Sequence, residues 1–549
     1  MDVRPFLPLA CAFSMLWLLT VSAAPRAAQG VPPAAAHAAA AIFQSSHECV
    51  ACHNGLTTPS GEDVSIGAAW RGSMMANASR DPYWQAGVRR ETIDHPTARE
   101  DIEDECSVCH MPMTRTLARM AARKGEIFAH LPVGAGASEE DRLAADGVSC
   151  TACHQIQSEK LGTRESFTGG YVVAQPGAAG ARPIFGPFAI EAGLASIMRS
   201  ATGFSPTEAQ HVRQSELCAT CHTLITHALG PKGEVIGELP EQVPYLEWRH
   251  SAYRAGRSCQ ACHMPAVDQP TPIAAVLGQP REGLSRHTFI GGNLFMIRML
   301  NRYRYELGVE ALPQEMDAAA NATRRQLQAD TASVSIARAE IVSGRLEIDV
   351  AIRNLTGHKL PTGYPARRAW LHVVVRDRDG RPVFESGAVE PSGSIKGNDN
   401  DADATRFEPH HREITSADQV QIYEAVMVDA AGAVTTGLLR GVRYVKDNRL
   451  LPRGFDKTTA GADIRVHGEA MQDADFADTG DRVRYVVNVG GAAGPFGVEA
   501  DLYYQTIAYR WAQNLRPYDA AEPKRFVSMY ESMAESSATV LARDTAGTR

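Results

Sequence analysis

Thiol groups are missing from the second half of the chain, since none of the 11 cysteines in the 549 residues lies beyond Cys262. Chemistry that needs cysteine is therefore confined to the N-terminal half. Positive charge is not in excess either, because the formal net charge is -8, which argues against nucleic acid or an anionic membrane surface as a partner. Long apolar runs are missing after the N-terminus, so no later segment is expected to cross a bilayer.

The N-terminus holds one short apolar run, residues 6–21, which Arg4 precedes. The run is short for a bilayer span, and the small residues at 21–23 fit a signal-peptidase site. We therefore predict a Sec signal peptide over residues 1–23, with an uncleaved anchor as the alternative. Residues 24–41 are rich in Ala, Pro and Gly and predict a flexible leader. Export would place the protein in the periplasm or at the cell surface, not integral to the membrane after cleavage.

The pentapeptide C-x-x-C-H occurs five times and uses ten of the 11 cysteines. Two thiols three residues apart can each form a thioether with one vinyl group of a haem, and the histidine that follows can ligate the iron from the proximal side. The series therefore predicts five covalently attached haem c groups. The predicted thioether residues are Cys49, Cys52, Cys106, Cys109, Cys150, Cys153, Cys218, Cys221, Cys259 and Cys262. The predicted proximal iron ligands are His53, His110, His154, His222 and His263.

Disulfide bonds and structural zinc fit the cysteine pattern less well than haem does. A disulfide framework has no need of a histidine after every second cysteine, and a zinc-ribbon array does not need one after each pair. The first cysteines of the motifs are separated by 57, 44, 68 and 41 residues. These intervals are too short for a conventional domain around each haem, so the haems are expected to share one body, packed closely enough for rapid electron hopping.

The distal side of each iron decides its chemistry. Two histidine ligands give a low-potential electron carrier, a distal methionine raises the potential, and a vacant position permits substrate chemistry. Histidines outside the motifs are numerous enough to supply five distal ligands. His211 lies seven residues before Cys218, and His287 lies in a Gly-rich loop after the last motif. The candidate distal ligands are His211, His287, His95, His130, His358 and Met75.

His358 differs from the other candidates because it lies outside the motif region. It belongs to the loop at residues 354–363, which glycine and proline make rigid, at one edge of a region rich in predicted strands. If His358 caps a haem, it couples the two regions of the chain. The alternative is a hairpin loop that carries a surface histidine.

Local signals in the motif region predict short helices and loops. Asp81 is a good N-cap before Pro82, so a helix is predicted over residues 82–94. Asn293 can cap a second helix over residues 294–307, where apolar side chains recur on one face. A helical connector is predicted over residues 311–330.

Beyond the connector the pattern changes to short β-type segments separated by turn signals. This pattern predicts an antiparallel β-sandwich of Ig-like type, without cysteine and therefore without attached haem. The predicted fold class is α+β and multidomain: a haem-packed, mostly helical and irregular cytochrome domain over 42–310, the connector, and the sandwich domain over 331–549. The predicted strands are residues 334–341, 346–352, 369–375, 383–386, 419–428, 483–489 and 498–504.

The motif region resembles the cytochrome c554 type of multihaem cytochrome. The resemblance is carried by the C-x-x-C-H series, by the Trp-x-x-Ser units that begin at Trp70 and Trp248, and by the segment His287-Thr288-Phe289-Ile290-Gly291-Gly292-Asn293. It implies parallel and perpendicular haem pairs and mostly bis-histidine ligation. Met75 and Tyr253 stand where that type usually has a ligand histidine, and the C-x-x-C-K motif of the pentahaem nitrite reductases is absent.

Electron transfer is the favoured function: an exported pentahaem c-type cytochrome that carries electrons to or from a periplasmic or extracellular redox partner. The alternative is a multihaem oxidoreductase in which one open-coordinate haem acts on a small nitrogen or sulfur compound, and Met75 and Tyr253 keep it open. A third hypothesis makes the β region a binding module for a mineral, a surface or a partner enzyme. No catalytic residue is assigned.

Overall fold

The computed structural model describes residues 41–175 and 182–548. The predicted signal peptide, and the predicted leader up to residue 40, lie outside this part. Within the described ranges, no helix combines the length and the apolar character needed to cross a bilayer. Short helices dominate the N-terminal region and strands dominate the C-terminal region, so the fold is an α+β mix.

The N-terminal region is built mainly from short helices joined by loops. Its helices are α1 Ser46–Val50, α2 Ile66–Arg71, α3 Pro82–Asp94, α4 Arg99–His110, α5 Pro112–Met120, α6 Glu139–Ala145, α7 Cys150–Cys153, α8 Ala192–Thr202, α9 Ser215–Ala219, α10 Pro244–Arg249, α11 Cys259–His263, α12 Leu294–Arg302 and α13 Pro313–Ala329. Its strands are β1 Arg182–Gly186, β2 Phe204–Glu208, β3 Leu224–Leu229, β4 Val235–Gln242, β5 Thr271–Pro272 and β6 Pro280–Arg281. They pair β1 with β2, β3 with β4 and β5 with β6.

Helix α3 begins and ends as predicted. The Asp81 carboxylate caps it by accepting hydrogen bonds from the backbone N–H groups of Tyr83 at 2.8 Å and Trp84 at 3.3 Å. Pro82 occupies the first helical position, where a backbone N–H would have no acceptor within the helix. The N–H that proline lacks therefore costs no hydrogen bond. The cap and the proline are both local, which is why the sequence predicted this helix correctly.

Helix α12 is shorter than predicted, because it ends at Arg302 rather than at residue 307. From Tyr303 the chain bends into turns that lead to Gly308, whose φ of 65° favours glycine. Helix α13 matches the predicted connector helix.

The C-terminal region is built mainly from strands. They are β7 Ala332–Val342, β8 Arg345–Asn354, β9 Arg368–Arg376, β10 Pro382–Ser386, β11 Glu413–Ile414, β12 Ile422–Tyr423, β13 Ala425–Val428, β14 Val434–Thr435, β15 Arg443–Asp447, β16 Asp481–Val487, β17 Gly497–Gln505 and β18 Ala538–Gly547. Helices α14 Asp399–Ala402, α15 Tyr509–Gln513 and α16 Ala521–Glu531 lie among them.

These strands form two larger sheets and a smaller one in the described part of the chain. The first sheet has the order β10-β9-β17-β18, with β12 also paired to β9, and the second has the order β11-β16-β8-β7. The third has the order β14-β13-β15. Pairing is antiparallel within them except between β11 and β16. Val373 of β9 lies opposite Ala500 of β17, which fixes the register at the centre of the first sheet.

Both larger sheets send alternate side chains into one core. Ile348 and Val350 of β8 are fully buried in the same cluster as Leu371 and Val373 of β9. Each predicted segment overlaps an observed strand, although residues 419–428 divide into β12 and β13. Strand β18 was not predicted, because Leu541 is its only clearly buried side chain and the strand lies at the end of its sheet.

The chain returns from the strands to the N-terminal region through α16, which packs against α3. Arg89 of α3 donates to both carboxylate oxygens of Glu522 at 2.8 and 2.9 Å. The hydroxyl of Tyr518 donates to the Asp94 carboxylate at 2.8 Å. These contacts join the C-terminal region to the region that carries the motifs.

A buried polar cluster in the C-terminal region brings ligand atoms of His410, Asp473 and Asp481 within 4.8 Å of one another. Asn448 fixes the tautomer of His410, because its oxygen accepts from the N–H of Glu424 and its amide nitrogen donates to His410 Nδ1 at 3.1 Å. Nε2 of His410 therefore carries the proton and donates to Asp473 at 3.1 Å. A protonated Nε2 is not a metal ligand, so hydrogen bonds account for this cluster.

Burial raises the pKa of Asp481 from 3.8 to about 6. The unfolded chain releases this proton near pH 3.8 and the folded chain near pH 6, so the stability that protonation contributes is lost as the pH rises through this window. Asp481→Asn should therefore match the wild type in stability near pH 4 and exceed it by about 3 kcal/mol at pH 7. Chemical unfolding of the full chain at both pH values measures the difference.

The matched control is Asp501→Asn. The Asp501 carboxylate is buried and accepts two hydrogen bonds from Arg543 at 2.6 and 2.7 Å. Removing its charge should lower stability at pH 7, opposite in sign to Asp481→Asn. An Asp481→Asn variant less stable than the wild type at pH 7 would contradict the expectation.

Candidate haem sites

A cavity of ≈ 1440 Å³ is lined by residues of all five C-x-x-C-H motifs. Residues of the loop at 354–363 and side chains such as Tyr364 and Tyr504, from the C-terminal region, also line it. The motifs therefore share one interior space, and both regions of the chain enclose it.

Each motif begins on a helical turn, because its first cysteine lies in α1, α4, α7, α9 or α11. Residues three apart lie on the same side of a helix, so such a turn presents both thiols of a motif in one direction. The ten motif cysteines are free thiols in the described chain. A disulfide framework therefore does not explain them, and the pairs remain available for thioether bonds.

Four of the five motif histidines are oriented by a backbone carbonyl. In each, Nδ1 forms a hydrogen bond that leaves Nε2 free, which is how proteins usually orient a metal-ligating imidazole. In the described part of the chain, His222 has no such bond, and it faces the cavity. The acceptors are Ile273 for His53 (2.6 Å), Ala78 for His110 (2.9 Å), Phe185 for His154 (2.6 Å) and Ile290 for His263.

Two motif histidines face a second histidine at the same separation. The ring centroids of His154 and His287 are 6.3 Å apart with an interplanar angle of 24°, and those of His263 and His358 are 6.3 Å apart at 12°. With metal–nitrogen distances of about 2 Å, two imidazoles that held one metal ion between them would have ring centres about 6 Å apart. Both pairs therefore have room for one metal ion between their rings.

The two distal partners have the same internal arrangement as the motif histidines. Nδ1 of His287 bonds to the carbonyl of Ser285 at 2.9 Å, and Nδ1 of His358 bonds to the carbonyl of Lys359 at 3.0 Å. Nε2 is thus free on both. Burial lowers the pKa of His287 to about 4 and also lowers the pKa of His358. Both rings are neutral at neutral pH, which is the form that ligates a metal.

The other candidate distal ligands lie elsewhere. His211 is buried beside the Phe185 ring, and its Nε2 bonds to the carbonyl of Ile156 at 2.8 Å. His130 pairs with Asp141 at 2.9 Å. His95 is buried at the end of α3. These three histidines do not line the cavity, whereas Met75 does. Iron ligation by any of these four residues remains a prediction.

Trp84 is a residue that sequence reasoning missed. Its ring lies parallel to the imidazole of His110, with centroids 4.3 Å apart and planes inclined by 3°. The stack fixes the rotation of the His110 ring, which the bond to Ala78 also restrains. No sequence signal indicated it, because Trp84 belongs to another helix.

Tyr253 lies against the loop that carries His358. Its hydroxyl donates to the carbonyl of Leu355 at 2.9 Å. A side chain on Gly357 would come within 3.4 Å of Trp248 and Tyr253. The loop therefore approaches the segment that precedes the fifth motif closely.

The proximity of the thiols, and of the helices that carry them, gives the order in which the motifs adjoin. The thiols of Cys49 and Cys150 shift each other's pKa and their helices, α1 and α7, are in contact, so motif one adjoins motif three. Motif four neighbours three others, because a thiol of motif four and a thiol of another motif interact electrostatically in three pairs: Cys218 with Cys259, Cys221 with Cys109, and Cys221 with Cys153. Motif four is thus the central motif.

Comparisons with known proteins agree with this geometry at the level of fold. No protein-family model matches the chain, and no curated protein matches it. Among solved structures, the chain is similar to a penta-heme cytochrome c552 from Thermochromatium tepidum, with 16% identity and a TM-score of 0.51. The match covers 92% of this chain and 99% of that one. The chain therefore has the fold of a multihaem c-type cytochrome, and the match does not single out the c554 type.

Proposed function

We propose that the protein is a pentahaem c-type cytochrome that carries electrons between redox partners. The observation that carries this proposal is the pair of histidine–histidine separations of 6.3 Å inside a cavity lined by all five motifs. Bound haem would supply one-electron transfer, with bis-histidine ligation favouring a low-potential carrier. The structural likeness to a penta-heme cytochrome supports the number five.

The chain's own residues would bind, orient and shield the five groups. The ten motif cysteines would form the thioethers, and the motif histidines would offer Nε2 to the irons while carbonyls hold Nδ1. His287 and His358 would complete the coordination at motifs three and five. The adjoining motifs would give a continuous path in which motif four connects the others.

Three parts of the proposal rest on the sequence: the location of the protein, the arrangement of the haems and the Ig-like sandwich. Export by the predicted signal peptide would place the protein in the periplasm or at the cell surface, where c-type haem is attached. The c554-type resemblance would imply parallel and perpendicular haem pairs. The two larger sheets would form an Ig-like sandwich that caps the haem body or binds a redox partner.

The oxidoreductase alternative is favoured by a specific observation. His53, His110 and His222 do not face a second histidine ring at ligating distance in the described ranges. One of these irons could therefore bind a small nitrogen or sulfur compound instead of a protein ligand. The catalytic haem would then be at motif one, two or four.

Electron paramagnetic resonance and visible spectra of the holoprotein, with and without nitrite, hydroxylamine and sulfite, distinguish the two functions. We expect low-spin signals that are indifferent to all three compounds. A high-spin iron whose spectrum changes with one of them would replace the carrier proposal with the oxidoreductase.

A further inference from the structure

Four buried charges lie where the loop of His358 meets the helix that precedes motif five. Asp447 bonds to Lys359 Nζ at 2.7 Å and to Arg449 Nε and Nη2 at 2.8 and 2.7 Å. Arg449 Nη1 also pairs with Glu247 of α10 at 2.9 Å. The exposed fractions of the four side chains are 9% for Arg449, 3% for Asp447 and 0% for Lys359 and Glu247. We call these residues the junction cluster.

Glu247 forms hydrogen bonds with the His358 loop on the C-terminal side of the histidine. Its Oε2 accepts from the backbone N–H of Lys359 at 3.1 Å and from the hydroxyl of Thr362 at 2.5 Å. Lys359 follows His358 directly, so the carboxylate fixes the peptide next to the imidazole. One side chain from the motif region thereby sets the position of a histidine from the C-terminal region.

The other side of the loop is held by Asn354. Its amide nitrogen donates to the carbonyls of His358 at 2.7 Å and Leu450 at 3.0 Å. Leu360 exchanges two backbone hydrogen bonds with Leu450. The loop is therefore bound firmly to the C-terminal region, and Glu247 is its polar link to α10.

Burying four charges is expensive unless each is paired, and apolar side chains of similar volume often give equal stability. Stability alone therefore does not explain the junction cluster. A requirement to hold the His358 loop in one position does explain it. The two acidic and two basic side chains also balance, so the cluster adds no net charge beside motif five.

We propose that Glu247 is a positioning residue that holds His358 opposite His263, and that the balanced charge of the junction cluster keeps the reduction potential of the fifth haem low. The inference rests on the proposed function, since it requires haem at motif five. Removing the Glu247 carboxylate would loosen the loop. Removing only its charge would leave an excess positive charge, which disfavours the ferric state and raises the potential.

The test compares Glu247→Ala and Glu247→Gln in the full-length holoprotein with Asp401→Ala. Asp401 is the control because it forms an equally buried pair with Arg368, at 2.8 Å, away from the cavity. Glu247→Ala should show a high-spin signal from one iron, and Glu247→Gln should raise the midpoint potential of one haem while keeping it low-spin. Asp401→Ala should lower stability and leave spectra and potentials unchanged.

A purely structural role would give a different result. If both Glu247 variants lose stability but keep wild-type spectra and potentials, the positioning role is overturned. Should Glu247→Ala fail to fold, Thr362→Val removes one bond to Glu247 and must still shift the spectrum of one iron. His358→Ala, measured in parallel, separates the proposals: an unchanged spectrum there would overturn ligation by His358 itself.

Discussion

Replacing His358 with alanine is expected to convert one of the five irons from low spin to high spin. His358 is the ring that faces His263 at 6.3 Å with its Nε2 free, and the described chain offers no other histidine there. The low-spin signal of one iron should therefore be lost from the electron paramagnetic resonance spectrum. Quantitative spectra of the oxidised holoprotein measure the change.

Added imidazole should restore the low-spin signal in this variant, because the vacated position would accept it. The control is His372→Ala, since His372 lies on β9 and pairs with Glu385 at 3.0 Å outside the cavity. His372→Ala should have the wild-type spectrum. Full retention of low-spin intensity in His358→Ala would show that His358 is not an iron ligand.

The double variant Cys218→Ser with Cys221→Ser should lose one haem and interrupt the electron path. The thiols of motif four interact electrostatically with those of motifs two, three and five, so its removal should separate the other haems into groups. Electron equilibration after substoichiometric reduction should become multiphasic. Stopped-flow spectroscopy follows the phases, and intact mass confirms the loss of one haem.

Cys49→Ser with Cys52→Ser is the matched control, because motif one adjoins motif three at the end of the path. It also removes one haem but should leave equilibration among the remaining haems unchanged. Rapid single-phase equilibration in the motif four variant would contradict the inferred order.

Local features of the chain were predictable from the sequence. Helix α3 followed from Asp81 and Pro82, and strands such as β8 and β9 followed from β-type segments separated by turn signals, because both signals depend on neighbouring residues. Haem attachment was likewise predictable, because each C-x-x-C-H motif consists of only five consecutive residues. The cavity that unites them agrees with their short spacing.

Features that depend on distant contacts were not predictable in the same way. Glu247 and Lys359 are 112 residues apart, and the sequence around either gives no sign of the other. His358 was one of several candidate ligands until the fold placed it opposite His263. The charges of the junction cluster would have been assigned to the surface, since buried Lys, Arg, Asp and Glu are rare.

The number of attached haems can be measured from the mass of the intact holoprotein under denaturing conditions. Thioether bonds survive denaturation, so we expect the polypeptide mass increased by five haems. The ten motif cysteines should then resist alkylation. A mass without haem, or with fewer than five in fully matured protein, would contradict the assignment of the motifs.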